Sequence, residues 1–415
     1  MMLSAAILSV GLFSAQAPTS TQLGVKVGEK SRVHADVTTS VLYDSNVDRL
    51  DTNRNPNDLD GSDGRVVVTP GLELDVPGRK LQLFMRAEGS INHRFGLNSR
   101  PQQTLAGFRG IVGAEVGARQ APVALRVRNT IIRTPTLIGE PGTILEDEQV
   151  FTAWTNVGRV GLVFRPGGGA LEISTTYLNQ LQIFDDDSPV DGGALPDTQT
   201  HGAELDVRYS FLPKTAAFLT TELSVFDVLG DDTALGQTQT AAPFRVVGGV
   251  SGQVSRRLSA EIAAGYGNVL VFDGGAFSSV DNQLNRETVI ARTRLRYDVS
   301  SQARLTLSFA RIAEPILVEA AVVRNRGEFR ADAMVASRLL LNALVAYENR
   351  NFSASATDAN VVIGDAGAEM FVLPWLSFLA RYRVFFQDAN DDDLPPPFLG
   401  DFTRHQIIGA ARARY

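Results

Sequence analysis

The chain has 415 residues, 44% hydrophobic and 20% charged, with a net charge of −7 and no cysteine. The missing cysteines exclude disulfides and thiolate metal sites, and no run from Thr21 onward approaches the roughly 20 apolar residues that a membrane-spanning helix needs. The length would suit two or three soluble domains, yet no break in composition divides the chain; lysine is confined to Lys26, Lys30, Lys80 and Lys214, so the cationic side chain in use is arginine, whose charge does not titrate away.

Residues 1–17 read as a short apolar run ending in Ala15-Gln16-Ala17, a small-x-small cleavage site, and are predicted to be a secretory signal peptide. No Lys or Arg precedes that run, and Pro18 would follow the cut. Residues 18–32 are predicted to be a short segment leading into one continuous domain over 33–415. From Val33 apolar and polar residues alternate with period two, the signature of half-buried strands. The pattern predicts about eighteen strands. The first nine lie near 33–43, 65–76, 80–95, 104–118, 122–133, 149–165, 170–184, 200–211 and 215–227. The others lie near 243–255, 258–270, 285–298, 303–313, 319–335, 340–350, 361–373, 376–387 and 402–415.

Connections alternate in length. Tight links such as Pro77-Gly78-Arg79, Gln120-Ala121, Pro166-Gly167-Gly168-Gly169, Leu212-Pro213-Lys214, Arg256-Arg257 and Pro374-Trp375 read as hairpin turns. Between them fall longer loops rich in Asp, Asn and Gly, near 44–64, 185–199, 231–242, 273–284, 351–360 and 388–401. This is the pattern of an up-and-down meander with both termini on the short-turn side, and such a meander has an even number of strands.

All eight tyrosines, Tyr43, Tyr177, Tyr209, Tyr266, Tyr297, Tyr347, Tyr382 and Tyr415, fall on the apolar parity of their strands, several near strand ends, as aromatic girdles at two membrane interfaces would. On the opposite parity lie Arg86, Arg126, Arg128, Arg292, Arg294, Arg296, Arg324, Arg326, Arg330, Arg381 and Arg383. A soluble sandwich would alternate in the same way, but its strands usually run to five or six residues, and these run to eleven or more. The expected fold is therefore all-β: a single up-and-down antiparallel transmembrane β-barrel. The third strand alternates cleanly, with Leu81, Met85 and Ile91 outward and Gln82, Arg86 and Glu88 inward. On the sixth, keeping Phe151, Ala153 and Val157 outward also turns Arg159 outward, so a bulge near 156–159 is expected to restore the register.

The last strand alternates small or apolar residues with polar ones and ends in Tyr415. It resembles the closing strand of bacterial outer-membrane barrels, which implies that Tyr415 is the signal read by the barrel assembly machinery. The stretch VTTSVLYDSNV (37–47), a strand running into a Tyr-Asp-x-Asn-Val loop, resembles the opening of the β-barrel porins encoded in capsule and exopolysaccharide gene clusters. The hairpins FLPKTAAFLTTEL (211–223) and VLPWLSFLARYRV (372–384) resemble that family's internal units. The resemblance implies an outer-membrane channel with periplasmic termini that exports secreted polysaccharide. Its partners would be outer-membrane lipid and lipopolysaccharide, the polysaccharide cargo and periplasmic export components. The alternative is a general or anion-preferring diffusion porin for small solutes.

The residues named on the opposite parity are candidates for lining a lumen. Arg292, Arg294, Arg296, Arg324, Arg326 and Arg330 flank a strand carrying Thr306 and Ser308, and guanidinium forks grip carboxylates and phosphates. The competing expectation is that they are neutralised by Glu328, Asp332 and Glu369. The Asp185-Asp186-Asp187 and Asp391-Asp392-Asp393 tips lack the spacing of a calcium loop. The four histidines, His34, His93, His201 and His405, lie on separate strands without an adjacent nucleophile. No enzymatic activity, cofactor, metal site or nucleic-acid partner is expected. A plug domain of the TonB-dependent type is not expected either, given the short stretch between the cleavage site and the first strand.

Overall fold

The computed structural model describes residues 24–27, 31–45, 62–78, 80–95, 103–117, 121–137, 150–184, 197–229, 239–273, 279–280, 286–315, 321–352, 358–389 and 401–415. One 20-stranded sheet contains two short ladders, Val25–Lys26 and Ser279–Val280, and eighteen long strands. The long strands are β1 (Arg32–Asp44), β2 (Asp63–Pro77), β3 (Leu81–Arg94), β4 (Gln103–Val116), β5 (Val123–Leu137) and β6 (Val150–Phe164). Next come β7 (Leu171–Phe184), β8 (Asp197–Leu212), β9 (Thr215–Leu229), β10 (Gln239–Gln253), β11 (Leu258–Asp273) and β12 (Arg286–Asp298). The last six are β13 (Ala303–Pro315), β14 (Ala321–Val335), β15 (Leu339–Phe352), β16 (Asp358–Leu373), β17 (Leu376–Ala389) and β18 (Phe402–Arg414).

Each strand pairs antiparallel with the next, and β18 pairs with β1 from Asp36↔Arg414 to Asp44↔Gln406, so the sheet closes into the barrel that the alternation predicts. Closure leaves no free edge, the condition a sheet must meet in lipid. The seam is fastened by Tyr415, whose backbone N–H donates to Ala35 at 2.8 Å and whose carbonyl accepts from Ala35 at 3.0 Å. Val25–Lys26 pairs back onto the start of β1. Residues 1–17 lie outside the described residues, as do the Asp185–187 and Asp391–393 tips.

Exposure confirms which face is outer. All eight tyrosines are exposed, together with both tryptophans and a field of Val, Leu and Ile on the same parity. Tyr209, Tyr297, Trp375 and Tyr415 lie at the short-turn end, Tyr43 and Trp154 near the long-loop end, and Tyr177, Tyr266, Tyr347 and Tyr382 between them. Three of these last hydroxyls have partners, as half-wet tyrosines require: Tyr177 pairs with His201 and Tyr382 with His405, each at 2.7 Å, and Tyr347 donates to Asn360 at 2.7 Å. The strands have 13 to 16 residues, where about 9–11 tilted residues cross a bilayer. The surplus falls on the long-loop side, where the outward parity turns polar at Asn129, Asn156, Asn179, His201, Asn325 and Asn349.

Strand β6 departs from expectation. Trp154, Val160, Leu162 and Phe164 are exposed, Ala153 and Val163 are buried, and the register with β5 and β7 runs without a shift. The apolar outer set is therefore the even one, and Arg159 faces inward with no bulge. Placing Phe164 and Trp154 at the two ends of the outer band outweighs hiding Ala153 and Val163, which pack inside. Pro70 and Pro243 each open the ladder on one side only, because proline lacks an N–H. Pro70 pairs with Val37 while the β2–β3 register lapses between Val68↔Ile91 and Gly71↔Glu88. Pro243 pairs with Val269 while β9–β10 lapses between Leu223↔Phe244 and Phe226↔Ala241. The β14–β15 turn carries Ala336 and Ser337 at φ 51° and 55°, the left-handed geometry of a type I′ hairpin filled by residues other than the favoured Asn-Gly.

Candidate functional site

The inner wall is ionic, and cross-strand register decides who pairs with whom. On β14, Arg324 donates to Glu314 at 2.8 Å, Arg326 to Glu328 at 2.9 Å and to Glu348 at 3.3 Å, and Arg330 lies 3.0 Å from Asp332. Glu348 also accepts from Arg350 at 2.7 Å, and its side chain is 1% exposed. On β12, Arg292 meets Glu261 at 2.8 Å and Arg296 meets Asp298 at 3.3 Å. Among the described residues Arg294 has neither an ion pair nor a hydrogen bond; it lies opposite Glu261 on one side and Ser308 on the other. Arg381 and Arg383 close on Asp365 at 2.6 and 2.8 Å, and Arg86 lies against Glu88 and, at 3.3 Å, Glu73.

Apart from Arg294, the predicted arginines of this part of the wall are thus balanced by acids. Glu328 and Asp332 do neutralise it, as one expectation held. Glu369 instead accepts a hydrogen bond from Ser377 at 2.7 Å. The stronger neutralising groups are Glu314 and Glu348, which the alternation did not single out although both share the arginine parity. Arg292 reaches further: its guanidinium sits 5.8 Å from the Phe218 ring. Phe218, Gly249, Ala263 and Arg292 form one row across β9 to β12. A Cβ on Gly249 would meet the Phe218 ring at 2.6 Å, so the bare glycine is what lets the ring lie across β10.

At the long-loop end of the seam two fully buried acids stand opposite each other, Asp44 on β1 and Asp63 on β2. Asp44 accepts from Arg404 at 2.9 Å and from Gln406 at 2.8 Å; Asp63 is paired with Arg65 at 3.1 Å and Arg94 at 2.6 Å. These pairs tie β18, β1, β2 and β3 together and have no solvent-facing role.

The remaining sector, β5 to β9, is built differently. Arg126 pairs with Glu115 at 3.4 Å, but Arg128 faces Arg159 directly across β5–β6, both exposed. A recess of about 250 Å³ opens between these arginines and the acids Glu204 and Glu222, with Gly161, Ser174 and Thr176 in its lining. Gly161 gives the recess depth, since a Cβ there would press on the Thr176 hydroxyl at 3.1 Å. The alternation points to neither Arg159 nor Glu222: the apolar odd parity of β6 turns Arg159 outward, and nothing in its own strand distinguishes Glu222.

No family model matches the chain, and no curated protein matches it. Solved structures do resemble it. The FrpB iron transporter of Neisseria meningitidis (F5-1 variant, apoprotein) aligns at 8% identity with a TM-score of 0.50, over 92% of this chain and 81% of that one. The copper transporter OprC aligns at 10% identity and a TM-score of 0.50, over 91% of this chain and 64% of that one. OpdK of Pseudomonas aeruginosa, solved with vanillate, aligns at 12% identity and a TM-score of 0.46, over 92% and 99%. At these identities the likeness is one of fold, a closed antiparallel β-barrel.

Proposed function

We infer that the protein is an outer-membrane diffusion channel for small hydrophilic solutes, with its termini and short turns in the periplasm. The observation that carries this reading is the inversion of the barrel. Its outer face is apolar and belted by tyrosine and tryptophan, while its inner face holds arginine and acid side chains, of which Arg292 is 49% exposed. Barrels of 16–18 strands enclose an aqueous lumen, and an ionic inner face has no place in a dry core. Because most wall arginines are matched by acids, the channel is expected to discriminate weakly between small anions and cations, which favours a general porin over a strongly anion-selective one. The likenesses in fold give no support to a tie with capsule or exopolysaccharide gene clusters, so a polysaccharide cargo rests on the strand and hairpin motifs alone. Purified protein reconstituted in planar bilayers tests the reading: stepwise ohmic conductance in KCl is expected. A folded barrel that inserts and conducts nothing would refute it.

A further inference from the structure

Most charges in this wall close on an opposite charge on their own or a neighbouring strand, whereas in the β5–β9 sector two like-charge pairs stand directly opposite each other. Arg128 and Arg159 are Cα partners across β5–β6. Like charges directly opposite destabilise a sheet, and among the described residues neither arginine has an ion pair or hydrogen bond of its own. Two strands further on, Glu204 is the Cα partner of Glu222, with Asp206 and Arg159 within electrostatic reach. The acid side is partly relieved, since Glu222 lies 3.7 Å from Arg245 and Thr220 donates to Asp206 at 2.5 Å. The arginine side is not.

Both like-charge contacts border the same recess, and between them the wall is small and polar: Gly161, Ser174 and Thr176. Register runs the acid row through Arg126↔Gly161, Gly161↔Thr176 and Thr176↔Glu204, and sets the Arg128–Arg159 pair two residues along the strands, level with Leu178 and Gly202. A carboxylate seated on the Arg128–Arg159 fork accepts bidentate, charge-assisted bonds and removes the repulsion there. An ammonium group at Glu204 and Glu222 does the same for the acids. The β6 and β8 backbones are separated by two strand spacings, about 10 Å, and the side chains lean inward from each. The two ligand charges must therefore be several bonds apart.

We propose that this recess is a binding site for small linear zwitterions, an ω-amino carboxylate being the simplest member of the class, held by Arg128 and Arg159 at the carboxylate end and by Glu204 and Glu222 at the ammonium end. The proposal rests on the reading of the barrel as an open channel, and the test separates the two. Four probes are compared on the native protein in planar bilayers: 6-aminohexanoate, hexanoate, hexylamine and glycine. The concentration of 6-aminohexanoate that half-blocks the current should be at least ten-fold lower than that of any of the others, and either Arg159→Gln or Glu204→Gln should erase the advantage. Equal block by hexanoate would reduce the recess to an anion site and overturn the proposal, as would equal block by glycine or no block at all. A barrel that does not conduct refutes the channel reading alone. Calorimetric titration of the detergent-folded protein with the same four probes then decides the zwitterion site, with the same ranking expected and equal or absent heats overturning it.

Discussion

Glu348 offers the sharpest test of the view that the inner wall is held by charge balance. Its carboxylate lies 2.7 Å from Arg350, 3.3 Å from Arg326 and 3.8 Å from Arg324, with the side chain 1% exposed. At an effective dielectric constant near 20, each such contact amounts to about 4 kcal/mol of gross Coulomb attraction, most of it offset by desolvation. The Glu348→Gln variant keeps shape and some hydrogen bonding but leaves three guanidiniums around a neutral amide. Removing one member of a buried ion cluster costs about 3–5 kcal/mol, so a loss of that size is expected. Arg292→Gln is the internal control: its pair with Glu261 is half-exposed on the arginine side, and exposed pairs contribute about 0.2–1 kcal/mol. Denaturant unfolding in lipid vesicles, followed by the fluorescence of Trp154 and Trp375 and by the gel shift between folded and heated forms, measures both. If Glu348→Gln unfolds at the same denaturant concentration as Arg292→Gln, the wall is not held by this cluster and the reasoning fails.

Three further outcomes follow from the same geometry. A protease site or epitope placed within 185–196 should be reached from outside intact cells and one at Gly167–Gly169 should not; the opposite pattern would reverse the topology. Tyr415→Ala removes a fully outward ring while leaving the backbone bonds to Ala35 available, so the folded barrel should keep its unfolding midpoint in vitro while its level in the outer membrane of cells falls several-fold. Normal levels would deny Tyr415 a role as an assembly signal. Replacing Ala336-Ser337 by Asn-Gly puts favoured residues at two left-handed positions, where an ordinary side chain costs roughly 1–2 kcal/mol each. Unfolding should shift to higher denaturant by about 1 kcal/mol or more, and an unchanged midpoint would mean that the turn is not strained.

Parity was legible in the sequence wherever one face of a strand was plainly apolar. On β3, Leu81, Met85 and Ile91 mark the outer face without competition, and Arg86 and Glu88 follow to the inner one. On β6 the two parities carry nearly equal apolar content, Phe151, Ala153, Val157 and Val163 against Trp154, Val160, Leu162 and Phe164. A single arginine was too weak a vote against four hydrophobic residues. The aromatic positions held the better signal: Phe164 beside the short turn and Trp154 near the long-loop end belong to the two girdles, and aligning β6 by them turns Arg159 inward at once. Weighting strand ends above strand centres would have found half of the recess.

Partnership was not legible, for a different reason. Parity needs one strand, whereas an ion pair needs the register of two, and register is fixed by the turns and by closure of the whole ring. Arg326 was visible as an inward cation, but Glu348 is its partner only because the short turn at 336–338 sets Arg326↔Glu348 in β14–β15. Shifting that register by one residue would bring Tyr347 or Asn349 opposite Arg326 and turn one whole strand inside out. The closed sheet removes that freedom, since β18 must also meet β1 with Asp44 against Gln406. The same closure that makes the barrel possible in a membrane therefore determines which charges cancel on its inner wall, and leaves Arg128 opposite Arg159 where cancellation by a neighbouring strand does not occur.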